Sequence, residues 1–482
     1  MYFKKFPYDD NINLFENYKK ILSEISVTQQ SESYKSWQKI IFNIFNIDKN
    51  EIDFYVKKIY FDNLLLKKSK KIYISKNCNL IKFVKYFIKY FIYFIYIKIK
   101  NKTFKNIFKG KILIDEIEKN EDVKLIQNFI KLFNKKDIII NKRRNLKINK
   151  KINSIFIPRF IGYYSKKISF SQIMKFFILN FIFSFKLRIN LFYLFLKIID
   201  DCFYYELLAK KIKVKYILNF RIQNSNNIKN YFFKKEGTKI CYLQKNISQV
   251  SQTTFNLKAD IFFCYGNYSY IDNKKTFSDI NKNVPVGSFY MNNNFYIKNI
   301  FQKFSKVKKN YDILYIGSNS FYPNGPWDKY DGYSSIYLEH LNWLKNLLKT
   351  FPNLKIIFKH NSNNINNFEK NYFKDTKVEF VDQALNTYDL ATKSKLILSW
   401  GSSMILELKS ITNNAYYLNP LMKNIQFLND LRKKELICIT SYKDLLKKTY
   451  NLESYLIDEP NTNFCLRSDN VNENIANFLK LN

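Results

Sequence analysis

The sequence predicts an α/β protein built on parallel, doubly wound sheet. Three observations carry this. Between residues 312 and 452, short apolar runs alternate with helical segments and only short polar stretches separate them. A looser alternation of the same kind begins near residue 111. The chain has 482 residues, 46% hydrophobic and 18% aromatic, enough for two or three packed domains and too apolar for a disordered chain.

Residues 1–105 read as a mainly helical region whose residues suggest no chemistry. KILIDEI (111–117) reads as a strand, EDVKLIQNFIKLFNKK (121–136) as a helix and DIIIN (137–141) as a second strand, a β-α-β start. NKRRNLKINKK (141–151) reads as a solvated loop, and a helical stretch runs from about 168 to 212. KYILNF (215–220), TKICYLQ (238–244), ADIFFCYG (259–266) and VPVGSFY (284–290) read as four further strands.

The second alternation is regular. Strands are expected at DILYIGS (312–318), LKIIFKH (354–360), VEFVD (378–382), KLILSW (395–400), AYYLNP (415–420) and LICIT (436–440). Helices are expected over 334–351, 366–373, 387–394, 402–411 and 441–452, and one more over 470–482. The division that follows is a helical region at 1–105, one Rossmann-like domain at 106–304, a second at 305–460, and a helix in 461–482 that returns to the first domain.

The charge suggests nucleic acid, with 80 basic against 40 acidic residues and a net charge of +40. Only seven of the basic residues are Arg, however. Bidentate readout of bases and phosphates relies on Arg, so the composition argues against a nucleic-acid partner. A Lys-, Asn- and Ile-rich chain is what an AT-rich genome produces, and much of the charge reads as solvated surface.

Six cysteines are scattered with no CxxC pair, and there are two His in the chain. This reads as reduced core cysteines of a cytoplasmic protein with no metal site. The N-terminus, MYFKKFPYDDNINLFENYKK, has no apolar run of the signal-peptide kind. Stretches 79–100 and 175–200 are apolar and aromatic but broken by Lys82, Lys85, Lys89, Lys186 and Arg188, so neither reads as a span. They read as buried helices with snorkelling lysines, or as a basic-aromatic face resting on an anionic membrane.

In an open α/β sheet, ligands bind outside the carboxyl ends of the strands. Three clusters stand there in the second alternation: Gly317-Ser318-Asn319, Lys359-His360-Asn361 and Gly401-Ser402-Ser403, with Glu407 one turn into the following helix. Helix-start amides with two hydroxyls suit a phosphate, Lys and His add charge and donors, and a carboxylate in the first turn can reach a ribose diol. The simpler alternatives are that Ser402 is an ordinary helix cap and His360 a satisfied loop residue. His340 falls inside a helix and reads as structural.

The order YDILYIGSNS, LKIIFKHNSN, VEFVDQALNTYDLATKSKLILSWGSSMILELKSITNNAYYLNP resembles the C-terminal domain of GT-B type transferases of bacterial surface polysaccharide synthesis. The resemblance is to the capsule-synthesis, sialyltransferase-like and glycerophosphotransferase-like branches. It covers residues 311–420 and, more loosely, 215–290. It implies a GT-B-like fold of two Rossmann-like domains facing a cleft. It further implies a metal-independent glycosyltransferase with no cofactor, acting on a nucleotide-activated sugar donor and a glycan or lipid-linked acceptor. The expected setting is the cytoplasmic side of the membrane, and the basic-aromatic stretches 79–100 and 175–200 add an expected peripheral contact with anionic lipid. By the motif, His360 and the Ser402/Ser403 pair hold the donor phosphate and Glu407 the ribose; Gly317, Ser318, Lys359 and Gly401 join them as donor-binding candidates from the strand-end reading.

Two departures stand beside it. The family's His-Pro is here His360-Asn361, and Gln-His-Gly in the first domain is here Gln244-Lys245-Asn246. No His precedes His340, so a histidine base in the first domain is not available, which leaves a carboxylate base or an inactive enzyme. A polyol-phosphate transferase on the same fold, and a basic nucleic-acid- or membrane-binding protein with an inactive Rossmann-like domain, are the alternatives.

Overall fold

The computed structural model describes residues 29–65, 107–117, 120–142, 153–155, 192–220, 226–245, 256–293, 306–317, 333–359, 367–381, 386–399, 402–419, 437–452, 460–467 and 470–481, with a few isolated positions between. Segment 79–100, apart from Ile88, and most of 175–191 lie outside the described residues.

Two helices open the described chain, α1 (Glu32–Phe45) and α2 (Lys49–Leu65). The Ser31 side chain caps α1 by accepting from the Tyr34 amide at 3.3 Å. Tyr34, Trp37, Ile41 and Phe45 form its buried stripe. That stripe joins one apolar cluster with Phe203 and Phe232 of the first sheet unit. Tyr55 donates to Asp201 at 2.7 Å, and Lys258 pairs with Glu51 at 2.7 Å. The two helices are therefore a layer of the first unit.

The first unit contains β1 (Phe108–Lys109), β2 (Ile112–Ile117), α3 (Asn120–Lys131), β3 (Ile138–Lys142), β4 (Asn153–Ile155), α4 (Phe192–Lys211), β5 (Ile212–Lys213), β6 (Tyr216–Asn219), α5 (Asn227–Lys235), β7 (Lys239–Leu243), β8 (Lys258–Cys264), α6 (Asn273–Thr276), β9 (Asp279–Pro285) and α7 (Phe289–Asn292). β1 and β5 form a two-stranded bridge. The other seven strands make one sheet in the order β4-β3-β2-β6-β7-β8-β9, parallel throughout. Strands buried on both faces should read as continuous apolar runs. YILN and KICYL do, and every residue but the first Lys is buried.

The short strands β1, β4 and β5 were not expected, and one expected strand runs differently. VPVGSFY (284–290) was expected as a strand, but β9 ends at Pro285 and α7 begins at Phe289. Gly287 between them has φ +92, a left-handed conformation that turns the chain out of the sheet.

The second unit contains β10 (Tyr311–Ile316), α8 (Tyr333–Thr350), β11 (Ile356–Lys359), α9 (Asn367–Tyr372), β12 (Glu379–Val381), α10 (Thr387–Thr392), β13 (Ser394–Ser399), α11 (Met404–Leu408), β14 (Ala415–Leu418), β15 (Cys438–Ile439) and α12 (Tyr442–Tyr450). Its sheet is parallel in the order β12-β11-β10-β13-β14-β15. By order of appearance this is third, second, first, fourth, fifth, sixth, the doubly wound order with a switch point between the first strand and the fourth.

The chain then returns. Residues 460–467 run along the first unit, where Leu466 donates its amide to Tyr265 and Ser269 its hydroxyl to Phe464, both at 2.8 Å. α13 (Val471–Leu481) buries Val471, Ile475, Ala476 and Leu479 in the first unit's core beside Phe129 and Phe289. A further apolar cluster contains Tyr265, Met291 and Phe464 together with Leu314, Ile397 and Tyr417, so it joins the two units. The fold is α/β, with two Rossmann-like units. Among the described residues no helix is long and apolar enough to cross a membrane. The described cysteines, Cys202, Cys241, Cys264, Cys438 and Cys465, are free and buried.

Candidate functional site

The switch point of the second sheet lies between β10 and β13, where Ile316 pairs with Lys359 on one side and Ser399 on the other. Gly317 follows. Its amide donates to the Lys359 carbonyl at 2.8 Å. A Cβ on Gly317 would stand 2.8 Å from the Phe358 ring and 3.4 Å from the Lys359 carbonyl oxygen, so only glycine lets the chain leave the sheet here undisturbed. The Ser399 hydroxyl donates to the Ile316 carbonyl at 2.8 Å and accepts from the Ser402 amide at 3.3 Å. The Ser402 hydroxyl accepts from Met404 at 3.3 Å, and Tyr417 donates to the Ser402 carbonyl at 2.8 Å. Ser403 begins α11 without a side-chain cap bond.

Gly317, Lys359 and Ser402 therefore meet at one sheet edge. Lys359 is buried at the end of β11, whereas Ser402 and Ser403 are half-buried. Ser318, His360 and Gly401 lie outside the described residues. A close-approach glycine, two hydroxyls and a cation suit an oxyanion.

Glu407 lies in α11, which Ser403 begins. It is buried, and both carboxyl oxygens are engaged: Oε1 accepts from the Ser288 hydroxyl and Oε2 from the Tyr388 hydroxyl at 2.9 Å. Ser288 belongs to the first unit, where it caps α7 by accepting from Met291 at 3.1 Å. Tyr388 is set by the Asn386 cap of α10, whose oxygen accepts its amide at 2.9 Å. Burial pushes the Glu407 carboxyl up to about 7, against the downward pull of the hydroxyls around it. Helical spacing places Glu407 one turn beyond the serines. Packing turns it to the junction between the units.

His340, read as structural, is fully buried in α8. Its Nε2 donates to the Leu418 carbonyl at 3.0 Å, which leaves Nδ1 facing the Tyr315 hydroxyl at 2.8 Å. It ties two strands together below the edge.

The first sheet has its own polar cluster, which the sequence reading missed. At the carboxyl ends of β2, β3 and β6 stand Asp115, Asn141 and Asn219, and Lys229 reaches them from α5. Lys229 pairs with Asp115 at 2.7 Å and donates to Asn219 at 2.7 Å, while Asn141 donates to Asp115 at 2.8 Å. Asp115 and Lys229 are both buried. The available signal was a carboxylate inside the apolar strand ILIDEI. Among the described residues no group of three or more His, Cys, Asp or Glu stands ready for a metal ion.

No family model matches the sequence, and no curated protein matches it. Solved structures give low likenesses. The S. aureus MnaA–UDP co-structure has a TM-score of 0.43 at 12% identity, over 77% of this chain and 96% of that one. Acinetobacter baumannii MurG has 0.38 at 10%, over 77% and 100%. The wall teichoic acid polymerase TagF has 0.38 at 10%, over 77% and 88%. At such scores the fold rests on its own strand order and carries the argument alone.

Proposed function

We propose that this chain is a GT-B type glycosyltransferase that takes a nucleotide-activated sugar at the switch point of the second sheet. The observation that carries the reading is the meeting of Gly317, Lys359 and Ser402 at that edge. The fold alone fixes no chemistry, but this is the place where such sheets receive phosphates. In this reading Ser402, Ser403 and Lys359 face the donor phosphate, and Ser318, His360 and Gly401 complete the seat from adjoining sequence. Their work is to stabilise the negative charge that grows on the leaving nucleotide as the glycosidic bond breaks. The acceptor, a glycan or lipid-linked saccharide, enters from the first unit, and the product belongs to surface polysaccharide or lipid-linked glycan. The enzyme works at the cytoplasmic membrane face, held by its lysine-rich surface.

The test is a thermal-shift screen of nucleotides and nucleotide sugars, followed by Kd measurement. A ligand at 100 times its Kd should stabilise by about 2.7 kcal/mol. Response to one nucleotide class is the expected result. A flat panel together with tight, salt-sensitive DNA binding overturns the reading. Membrane contact has its own test. Co-sedimentation with phosphatidylserine vesicles should weaken with salt, because each surface Lys contributes about 1 kcal/mol of screened attraction.

A further inference from the structure

Glu407 is a buried carboxyl whose two partners come from different units. Ser288 approaches from the turn that closes the first sheet and Tyr388 from α10 of the second. The Ser288 hydroxyl spends its proton on Glu407 and its lone pair on the Met291 amide, so it stands fixed between the two. Two further groups gather around the carboxyl beside Tyr388. Tyr265, from the loop after β8, donates to the Lys245 carbonyl at 2.8 Å, and burial followed by the nearby Glu407 raises its pKa. Tyr388 is raised in the same way. Cys465 comes from the returning segment, its thiol held protonated by burial and then by Glu407. These titratable groups face Glu407 from the elements packed on it, and none is a cation. Tyr290 of α7 stands beside Tyr265.

A carboxyl this deeply buried, held by hydroxyls alone, sits at the closed junction most easily as the neutral acid. Parting the units would pull Ser288 from Oε1 and let water solvate the ionised form, so ionisation favours opening. We propose that Glu407 is a proton-linked clasp between the two units, one that sets how readily the cleft between them opens. This goes beyond the donor-site reading and does not depend on it.

The sign follows from burial. The joined state holds the Glu407 proton more tightly, to about 7 against an ordinary 4.5. The clasp is therefore fully present below the ordinary carboxylate range and is lost as pH rises through about 7. Over that window the joined state loses up to about tenfold per pH unit.

Amide hydrogen exchange on the full chain, without nucleotide, tests it. The readouts are protection factors at 289–292 in the first unit and 405–408 in the second, with strands 216–219 and 240–243 as internal controls. Glu407→Ala should lower protection at least tenfold in both junction segments and leave the controls unchanged. Glu407→Gln, which imitates the protonated acid, should keep protection and abolish its pH dependence between 5 and 8. The proposal is overturned if Glu407→Ala loosens neither segment, or loosens only 405–408. It is also overturned if the parent's protection is as flat with pH as that of Glu407→Gln. Should Glu407→Ala unfold the controls too, Ser288→Ala decides: looser exchange at 405–408 supports the clasp, and unchanged exchange overturns it. Because no nucleotide is present, failure here leaves the donor seat standing, and a flat nucleotide panel leaves the clasp standing.

Discussion

The two sheets share one winding and fill their switch points in opposite ways. In the first, the crevice between β2 and β6 is occupied by the protein itself: Asp115, Asn141, Asn219 and Lys229 saturate one another in a buried ion-paired network. In the second, the crevice between β10 and β13 is edged by a glycine and serine hydroxyls, and Glu407 of α11 is engaged by Ser288 and Tyr388. A buried ion pair carries a large desolvation cost and adds little net stability. It does hold Asp115, Asn141, Asn219 and Lys229 in one fixed arrangement. The second edge carries Gly317, the Ser402 hydroxyl and the buried Lys359, the groups on which the donor-site proposal rests. On the donor-site proposal, the same topology yields a self-satisfied edge in one unit and a phosphate seat in the other.

The comparison can be broken by substitution. Asp115→Ala strands the Lys229 ammonium in the interior and should cost about 3–5 kcal/mol, measured by urea unfolding. Asp115→Leu with Lys229→Met should recover most of that loss, since both charges leave together. Next comes His340→Phe, which deprives the Leu418 carbonyl and the Tyr315 hydroxyl of their partner. It should cost about 1–3 kcal/mol and leave nucleotide affinity unchanged in the folded fraction. Gly317→Ala forces a Cβ against Phe358 and should also cost about 1–3 kcal/mol. It should weaken nucleotide binding as well, which separates it from His340→Phe. The smallest stability effect is expected for Ser402→Ala, at most about 1 kcal/mol. Its nucleotide Kd should nonetheless rise ten- to a hundredfold, the equivalent of about 1.5–3 kcal/mol for a lost bond to a charged group. If Ser402→Ala destabilised as much as Asp115→Ala with affinity untouched, both edges would be structural and the contrast would vanish.

The second sheet was legible because its central strands β11, β13 and β14 are almost wholly buried and appear as apolar runs between short helices. Gly317, Lys359 and Ser402 could be assigned to one edge on topology alone. VPVGSFY misled because its apolar residues outweigh the single glycine that turns the chain. The roles of Glu407 and Lys229 were not legible for a different reason. Helical spacing gives a residue's face, but what meets that face comes from another unit or a distant strand. Ser288 is 119 positions from Glu407 in sequence, and Asp115 is 114 from Lys229. Only the assembled fold brings them together.

The return of α13 bears on how the chain is made. Its residues Val471, Ile475 and Leu479 seal the core that Phe129 and Phe289 begin, and reciprocal amide bonds join Asn293 to Asn472 at 2.8 Å. The ribosome delivers that seal only after every strand of the second unit has emerged. Domains commonly fold in order as they leave the tunnel, but here the earlier unit must wait for the later one. Until then a nascent chain carries an uncovered aromatic face, which a chaperone would meet and a mature molecule never displays.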